Sequence, residues 1–142
     1  MAIQFPDPQV TATSNDKTVH QKTVRLTSAD FVTGGTASVK AIFPADSTFL
    51  MMEYWKKTAF SGGGITAATL SIGVSGTPTH FVNALDVHTP VAGTSAEITP
   101  ITNIMQPYGL PLGSDISLLF TGTATTGNPT AGEMYVTVYY VR

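Results

Sequence analysis

"ATLSIGVSG", residues 68–76, is the stretch that decides the fold. Leu70, Ile72 and Val74 fall on one side of an extended chain, with Thr69, Ser71, Gly73 and Ser75 on the other. That is the twofold period of a half-buried β-strand, and a helix period does not fit it. The same period recurs on either side. "DISLLFTGTAT" (Asp115–Thr125) sets Ile116, Leu118 and Phe120 against Ser117, Leu119 and Thr121. "ASVKAIF" (Ala37–Phe43) sets Ala37, Val39, Ala41 and Phe43 on one face. "KTVHQKTVRL" (Lys17–Leu26) is rich in Thr and Val, which favour strands.

"TFLMMEYWKKTAF" (Thr48–Phe60) is the longest apolar stretch and holds the single Trp, with large side chains on both faces. A central strand or a short helix would carry this pattern, and the aromatics and the following "SGGG" favour the strand. "SGGGIT" (Ser61–Thr66) reads as a flexible hairpin or loop tip. "HFVNALDVH" and "AEITPITNIM" are shorter strands, the second interrupted by Pro100, which suits an edge or a bend. "TGNPTAGE" is a turn, and "MYVTVYYVR" closes the chain with β-formers on both faces. Such a strand sits inside a sheet or beneath a neighbour. Seven to nine strands at roughly 10–15-residue spacing, with no amphipathic helix, predict an all-β chain. The expected fold is an antiparallel β-sandwich or jelly-roll-like barrel.

Residues 1–16, "MAIQFPDPQVTATSND", show no period and carry Pro6 and Pro8. Each proline removes a backbone donor and extends the residue before it. An extended N-terminal arm (1–16) ahead of one β-sandwich domain (17–142) is the expected organisation. Such an arm is ordered only when it lies across its own domain or a neighbour.

Composition narrows the function. Charged residues make up 11% of the 142 residues, against roughly 25% in ordinary domains. Outward faces are covered with Thr and Ser instead, and so uncharged a surface fits contact with other proteins. The net charge of -2, with seven scattered basic residues, leaves no footprint for nucleic acid. The N-terminus lacks the parts of a signal peptide, and no apolar run approaches the ~18 residues of a membrane helix. The expectation is a soluble protein made in the cytoplasm, with neither nucleic acid nor membrane as partner. Cys is absent, so neither disulfides nor thiolate chemistry are available.

Two of the three histidines lie in "SIGVSGTPTHFVNALDVHTP" (71–90), with Asp86 two positions before His88. Asp86 and His88 would share a face on a strand, and His80 would complete a zinc-type set. Pro78 and a bend separate His80 from the pair, so we read all three as polar residues at a loop and strand end. No phosphate loop, nucleophile elbow, paired carboxylates or calcium loop is present. No enzyme activity and no cofactor are expected. Trp55, beside Tyr54, could stack a sugar with His80, Asp86 or His88 as polar neighbours, as could Tyr135, Tyr139 and Tyr140. Aromatics of this kind more often anchor cores and interfaces.

"LSIGVSGTPTHFVNA" and the closing "TAGEMYVTVYYVR" resemble small virion proteins of tailed bacteriophages. In these a strand ending in G-x-x-G-x-P precedes a short apolar segment, and a G-x-x-x-V-x-V-x-Y strand ends the chain. Here the elements are Gly73, Gly76 and Pro78, then Phe81-Val82, then Gly132, Val136, Val138 and Tyr140. The resemblance covers Thr69–Arg142, about half the chain. It implies a β-sandwich structural protein of the virion, most commonly a decoration (cement) protein outside the head. Its partners would be the major capsid protein and copies of itself, as a trimer or other homo-oligomer. The implied alternative is a tail, neck or head-fibre component with a carbohydrate-binding sandwich. The contact residues expected on this reading are Ile3, Phe5, Pro6, Pro8 and Val10 of the arm, with Tyr139 and Tyr140 of the last strand.

Overall fold

The computed structural model describes residues 18–45, 47–89, 95–100 and 115–141, with 95–100 described through the backbone alone. Nine strands fill most of this length: β1 (Val19–Thr27), β2 (Phe31–Thr33), β3 (Thr36–Phe43), β4 (Thr48–Ser61), β5 (Ala67–Val74), β6 (Thr77–Asp86), β7 (Ser95–Pro100), β8 (Ile116–Thr125) and β9 (Ala131–Val141). A 3-10 turn, Ser28–Asp30, joins β1 to β2. The N-terminal arm, residues 1–16, lies outside the described residues.

The strands form two sheets. One runs β1-β9-β4-β7, all antiparallel. The other runs β2-β8-β5-β6, and β3 shares the free edge of β8 with the short parallel strand β2. Setting β2 aside, the order β1-β9-β4-β7 against β3-β8-β5-β6 is that of an eight-stranded jelly roll. Among the described strands, and apart from the short β2–β3 link, β5–β6 is the one consecutive pair that shares a sheet. Every other connection crosses from one sheet to the other.

Alternation explains the core. Leu70, Ile72 and Val74 of β5, Ile116, Leu118 and Phe120 of β8, and Met134, Val136 and Val138 of β9 are all buried in one cluster. The core aromatic contacts join the two sheets. Phe31 of β2 meets Phe60 of β4 with ring centroids 4.1 Å apart. Phe43 of β3 meets Phe49 of β4 and Tyr140 of β9 edge-on, at 4.9 and 5.0 Å, and Phe81 of β6 meets Phe49 at 5.7 Å. Each such pair adds about 0.5–1.5 kcal/mol beyond the area it buries.

Two local expectations need correction. Of Ala37, Val39, Ala41 and Phe43, only Ala41 and Phe43 are buried; Val39 is 49% exposed. A β-bulge between Val39 and Ala41 shifts the register against β8, so the two halves of β3 present opposite parities. Lys40, the extra residue, ion-pairs with Asp30 of the 3-10 turn. The second correction concerns "SGGGIT". β4 and β5 lie in different sheets, so this segment is a corner crossing and not a hairpin. It is also tied to the β8–β9 connection. Thr66 N–H donates to Thr125 O (3.1 Å), and Thr130 N–H donates to Ser61 O (2.9 Å).

Glycine seats the Phe31–Phe60 pair from both sides. A β-carbon at Gly122 of β8 would overlap the Phe31 ring and the Asp30 carbonyl oxygen, and one at Gly132 of β9 would overlap the Phe60 ring. Gly132 also has φ 143, a conformation other residues adopt only with strain. Gly132→Ala should therefore cost about 2–6 kcal/mol, the sum of strain and overpacking. Gly34→Ala, at φ 82 but facing open space, should cost only about 1–2 kcal/mol. Urea unfolding midpoints of the two variants check the order; equal costs would contradict the role given to the Phe60 contact.

Candidate functional site

His80, Asp86 and His88 take three different local roles. His80 sits on β6 edge-on to Phe81, with centroids 4.8 Å apart. This part of β6 departs from regular pairing with β5, since the register shifts on both sides of Ile72. Asp86 ends the strand and closes the corner behind it. Its Oδ1 accepts from the His88 N–H (2.8 Å) and the Thr89 N–H (3.2 Å), and its Oδ2 accepts from the Thr89 hydroxyl. The hydroxyl bond first, then the two backbone donors and the nearby Lys56 ammonium, outweigh partial burial and hold the carboxyl below its ordinary value.

The His88 ring faces inward, with Nδ1 2.8 Å from the Phe60 carbonyl oxygen. A carbonyl only accepts, so Nδ1 carries the proton. Lys56, buried, donates to Thr89 O. Between them Val87, fully buried, bonds both sheets: its N–H to Ala68 O (3.0 Å) and its carbonyl to Phe60 N–H (3.1 Å). Asp86 and His88 are thus a clasp at one corner of the sandwich. Among the described residues, no three His, Asp or Glu side chains converge in a way that could hold a metal ion.

Trp55 belongs to a separate surface. In β1, β9 and β4 the even-numbered residues Val24, Leu26, Met134, Val136, Val138 and Met52 are buried, so the odd-numbered residues beside them face outward. Pairing aligns these in rows across the sheet: Gln21, Tyr139 and Met51; then Thr23, Thr137 and Glu53; then Arg25, Tyr135 and Trp55. Trp55, 42% exposed, stacks on Tyr135 with centroids 5.6 Å apart and planes 17° from parallel.

Charge holds this band in place. Glu133 Oε1 accepts from the Tyr135 hydroxyl (2.5 Å) and from Arg25 Nε (2.9 Å), while Lys57 Nζ lies 3.5 Å from Oε2. The Tyr135 bond first, then Arg25 and Lys57, bring the Glu133 carboxyl down to about 2. Thr23 and Thr137 share a hydroxyl bond of 2.9 Å. Partial burial and the Glu53 carboxylate push the Tyr139 hydroxyl above its ordinary value. What the band offers is a flat aromatic surface with fixed polar groups, suited to binding.

The residues named from the sequence therefore separate. Tyr139 faces outward within the band. Tyr140 turns inward, edge-on to Phe43 and stacked on His20 at 5.3 Å. Trp55 is brought to Tyr135, and the structure does not gather it with His80, Asp86 and His88. Ile3, Phe5, Pro6, Pro8 and Val10 lie outside the described residues. Arg25, Glu133 and Lys57 were not singled out from the sequence. The signal available for them was the odd-numbered series Glu133, Tyr135, Thr137 and Tyr139, too aromatic for a merely solvated face.

No family model matches the sequence, and no curated protein matches it. Among solved structures, a chain described as "Cyanophage Pam1 capsid asymmetric unit" has a similar fold, with a TM-score of 0.62 and 18% identity. The match covers 99% of this chain and 91% of that one. Among the described residues no helix is long and apolar enough to cross a membrane.

Glu133 makes the outer band sensitive to acid. Its carboxyl is depressed in the folded chain, so its contribution is fully present above the ordinary glutamate range. It is lost as pH falls from there towards about 2. Glu133→Gln should lower the urea midpoint at pH 7, and the difference from the unaltered chain should shrink towards zero near pH 2. A difference of the same size at both pH values would contradict this.

Proposed function

We propose that this chain is a non-enzymatic structural protein of a phage particle, acting as a decoration (cement) protein on the outside of the head. The observation that carries the reading is the fold shared with a phage capsid chain over 99% of the present sequence. Two features of the surface support it. Thr and Ser replace the usual charged coat, and the outer band on β1, β9 and β4 is aromatic, which is the composition of interface anchors.

In this role each copy bridges neighbouring major capsid proteins. Its binding energy then favours the mature shell over any expanded or ruptured state, which it cannot bridge. Association with other copies, as a trimer or other homo-oligomer, multiplies weak contacts through effective concentration. The contacts assigned to capsid and sister subunits are the arm, residues 3–10, and the outward residues of β9 around Tyr139. The protein is made in the host cytoplasm and ends in the virion.

Heads assembled without this protein provide the test. The purified chain should co-sediment with them saturably, at a simple ratio to the major capsid protein. A chain lacking residues 1–16 should keep its β-sheet circular dichroism and bind about tenfold more weakly or worse, because a bivalent contact becomes monovalent. Unimpaired binding by the shortened chain would remove the arm from the contact. No saturable binding by the full chain would remove the decoration role.

A further inference from the structure

At one end of the outer band Trp55 forms an apolar plate, and Lys57, Glu133 and Arg25 give it a polar rim. We propose that this end binds one neutral pyranose, its C–H face stacked on the indole and its hydroxyls held by the rim. The site does not rest on the decoration role. Tyr139 and Met51, two rows further along the sheet, remain for contacts with protein.

The plate is fixed before a ligand arrives. Tyr135 lies along one face of the indole, its own hydroxyl is tied to Glu133, and Glu133 is tied in turn to Arg25. Trp55 nevertheless stays exposed, and the register sets Ser95 of β7, a small residue, opposite it. A ring held in this way loses little freedom on binding, and its negative face receives the C–H groups of a sugar ring.

The rim supplies both kinds of hydrogen-bonding group. Lys57 follows Trp55 by two residues, ~7 Å along the strand, about the span of a pyranose with its hydroxyls. Its ammonium stands 3.5 Å from Glu133 Oε2, beyond a close hydrogen bond, so donor and acceptor both keep capacity. Arg25 uses Nε on Glu133, and its side chain is 60% exposed, with further guanidinium donors to offer. Donors and an acceptor side by side match hydroxyls, which both accept and donate.

The charges select against other ligands. Arg25 and Lys57 are matched by Glu133 and by Glu53, which Tyr139 engages. β7 adds Glu97 at the bulge opposite Glu53 and Tyr54. Among the described residues of this face no cation is therefore in surplus to hold a phosphate or carboxylate. A quaternary ammonium would meet the like charges of Arg25 and Lys57, beside parallel rings that form no cage. An apolar protein patch would strip water from Lys57, Glu133 and Arg25 without replacing their hydrogen bonds.

Trp55 is the only Trp, so indole emission reads the site directly in the full, free chain. Methyl β-D-galactopyranoside and methyl β-D-glucopyranoside are the probes, with glucitol as an acyclic polyol that has the hydroxyls but no ring face. At least one glycoside should change the emission saturably, with a midpoint in the millimolar range expected of so small a ligand, and glucitol should not. Lys57→Ala, at a side chain 51% exposed, should raise that midpoint about fivefold or more. Its far-UV spectrum and its emission without ligand should stay as they are. No saturable response to either glycoside up to ~100 mM, or an equal response to glucitol, would overturn the proposal. So would a midpoint unmoved in Lys57→Ala. Shielding of Trp55 from acrylamide by heads assembled without this protein, with no response to either glycoside, would give the ring to the capsid and leave the decoration role standing alone.

Discussion

Phe31 and Phe60, seated between Gly122 and Gly132, form the contact on which the rest of the structure depends. The two rings come from opposite sheets and meet at 4.1 Å, an approach permitted only because neither β8 nor β9 carries a side chain beneath them. Gly132 is the second residue of β9, so the place where that strand enters its sheet is set by the Phe60 ring. Phe60 in turn offers its N–H to Val87 and its carbonyl to His88. The Asp86–His88 clasp is therefore an extension of the same contact, pinning the corner after β6 to the strand that carries the ring. At the other end of the sandwich Phe43, Phe49, Phe81 and Tyr140 do the equivalent work with edge-on contacts, and Lys22 Nζ lies over Phe43 at 5.0 Å.

Once β9 is entered correctly, its twofold period separates two jobs. Met134, Val136, Val138 and Tyr140 go to the core, and Glu133, Tyr135, Thr137 and Tyr139 go to the outer face. β9 is paired along both edges, to β1 and to β4, so a slip of one residue would exchange the two sets and lose core and surface together. The outer band thus inherits its precision from the core.

How much of this was legible in the sequence follows from what alternation records. Leu70, Ile72 and Val74, or Ile116, Leu118 and Phe120, announce their buried face because each lies in a regularly paired strand. The stretch 48–60 and the closing strand announced central positions through large side chains on both faces, and both occupy the interior of a sheet. Alternation does not record which sheet a strand joins. That is why the glycine stretch after β4 read as a hairpin or a loop tip without its being clear that it turns a corner between sheets, and why "sandwich or jelly roll" stayed undivided until the strand order was known. Nor does it record bulges: Lys40 interrupts β3 because Asp30 is there to receive it, a partner ten residues away. The two candidate sites fared differently for the same reason. Asp86 and His88 could be placed at a strand end from Pro78 and the local pattern. The Arg25–Glu133–Lys57 grouping is assembled from β1, β4 and β9, and only the register between strands brings it together.

The measurement that bears most directly on the proposed role is the copy number of this protein in phage particles purified from cultures that produce it. Quantitative mass spectrometry against the major capsid protein supplies it. A decoration protein must be present in hundreds of copies, at a simple ratio to the capsid subunit. A handful of copies would place it in the tail, neck or a fibre, and its absence from the particle would contradict the structural role altogether.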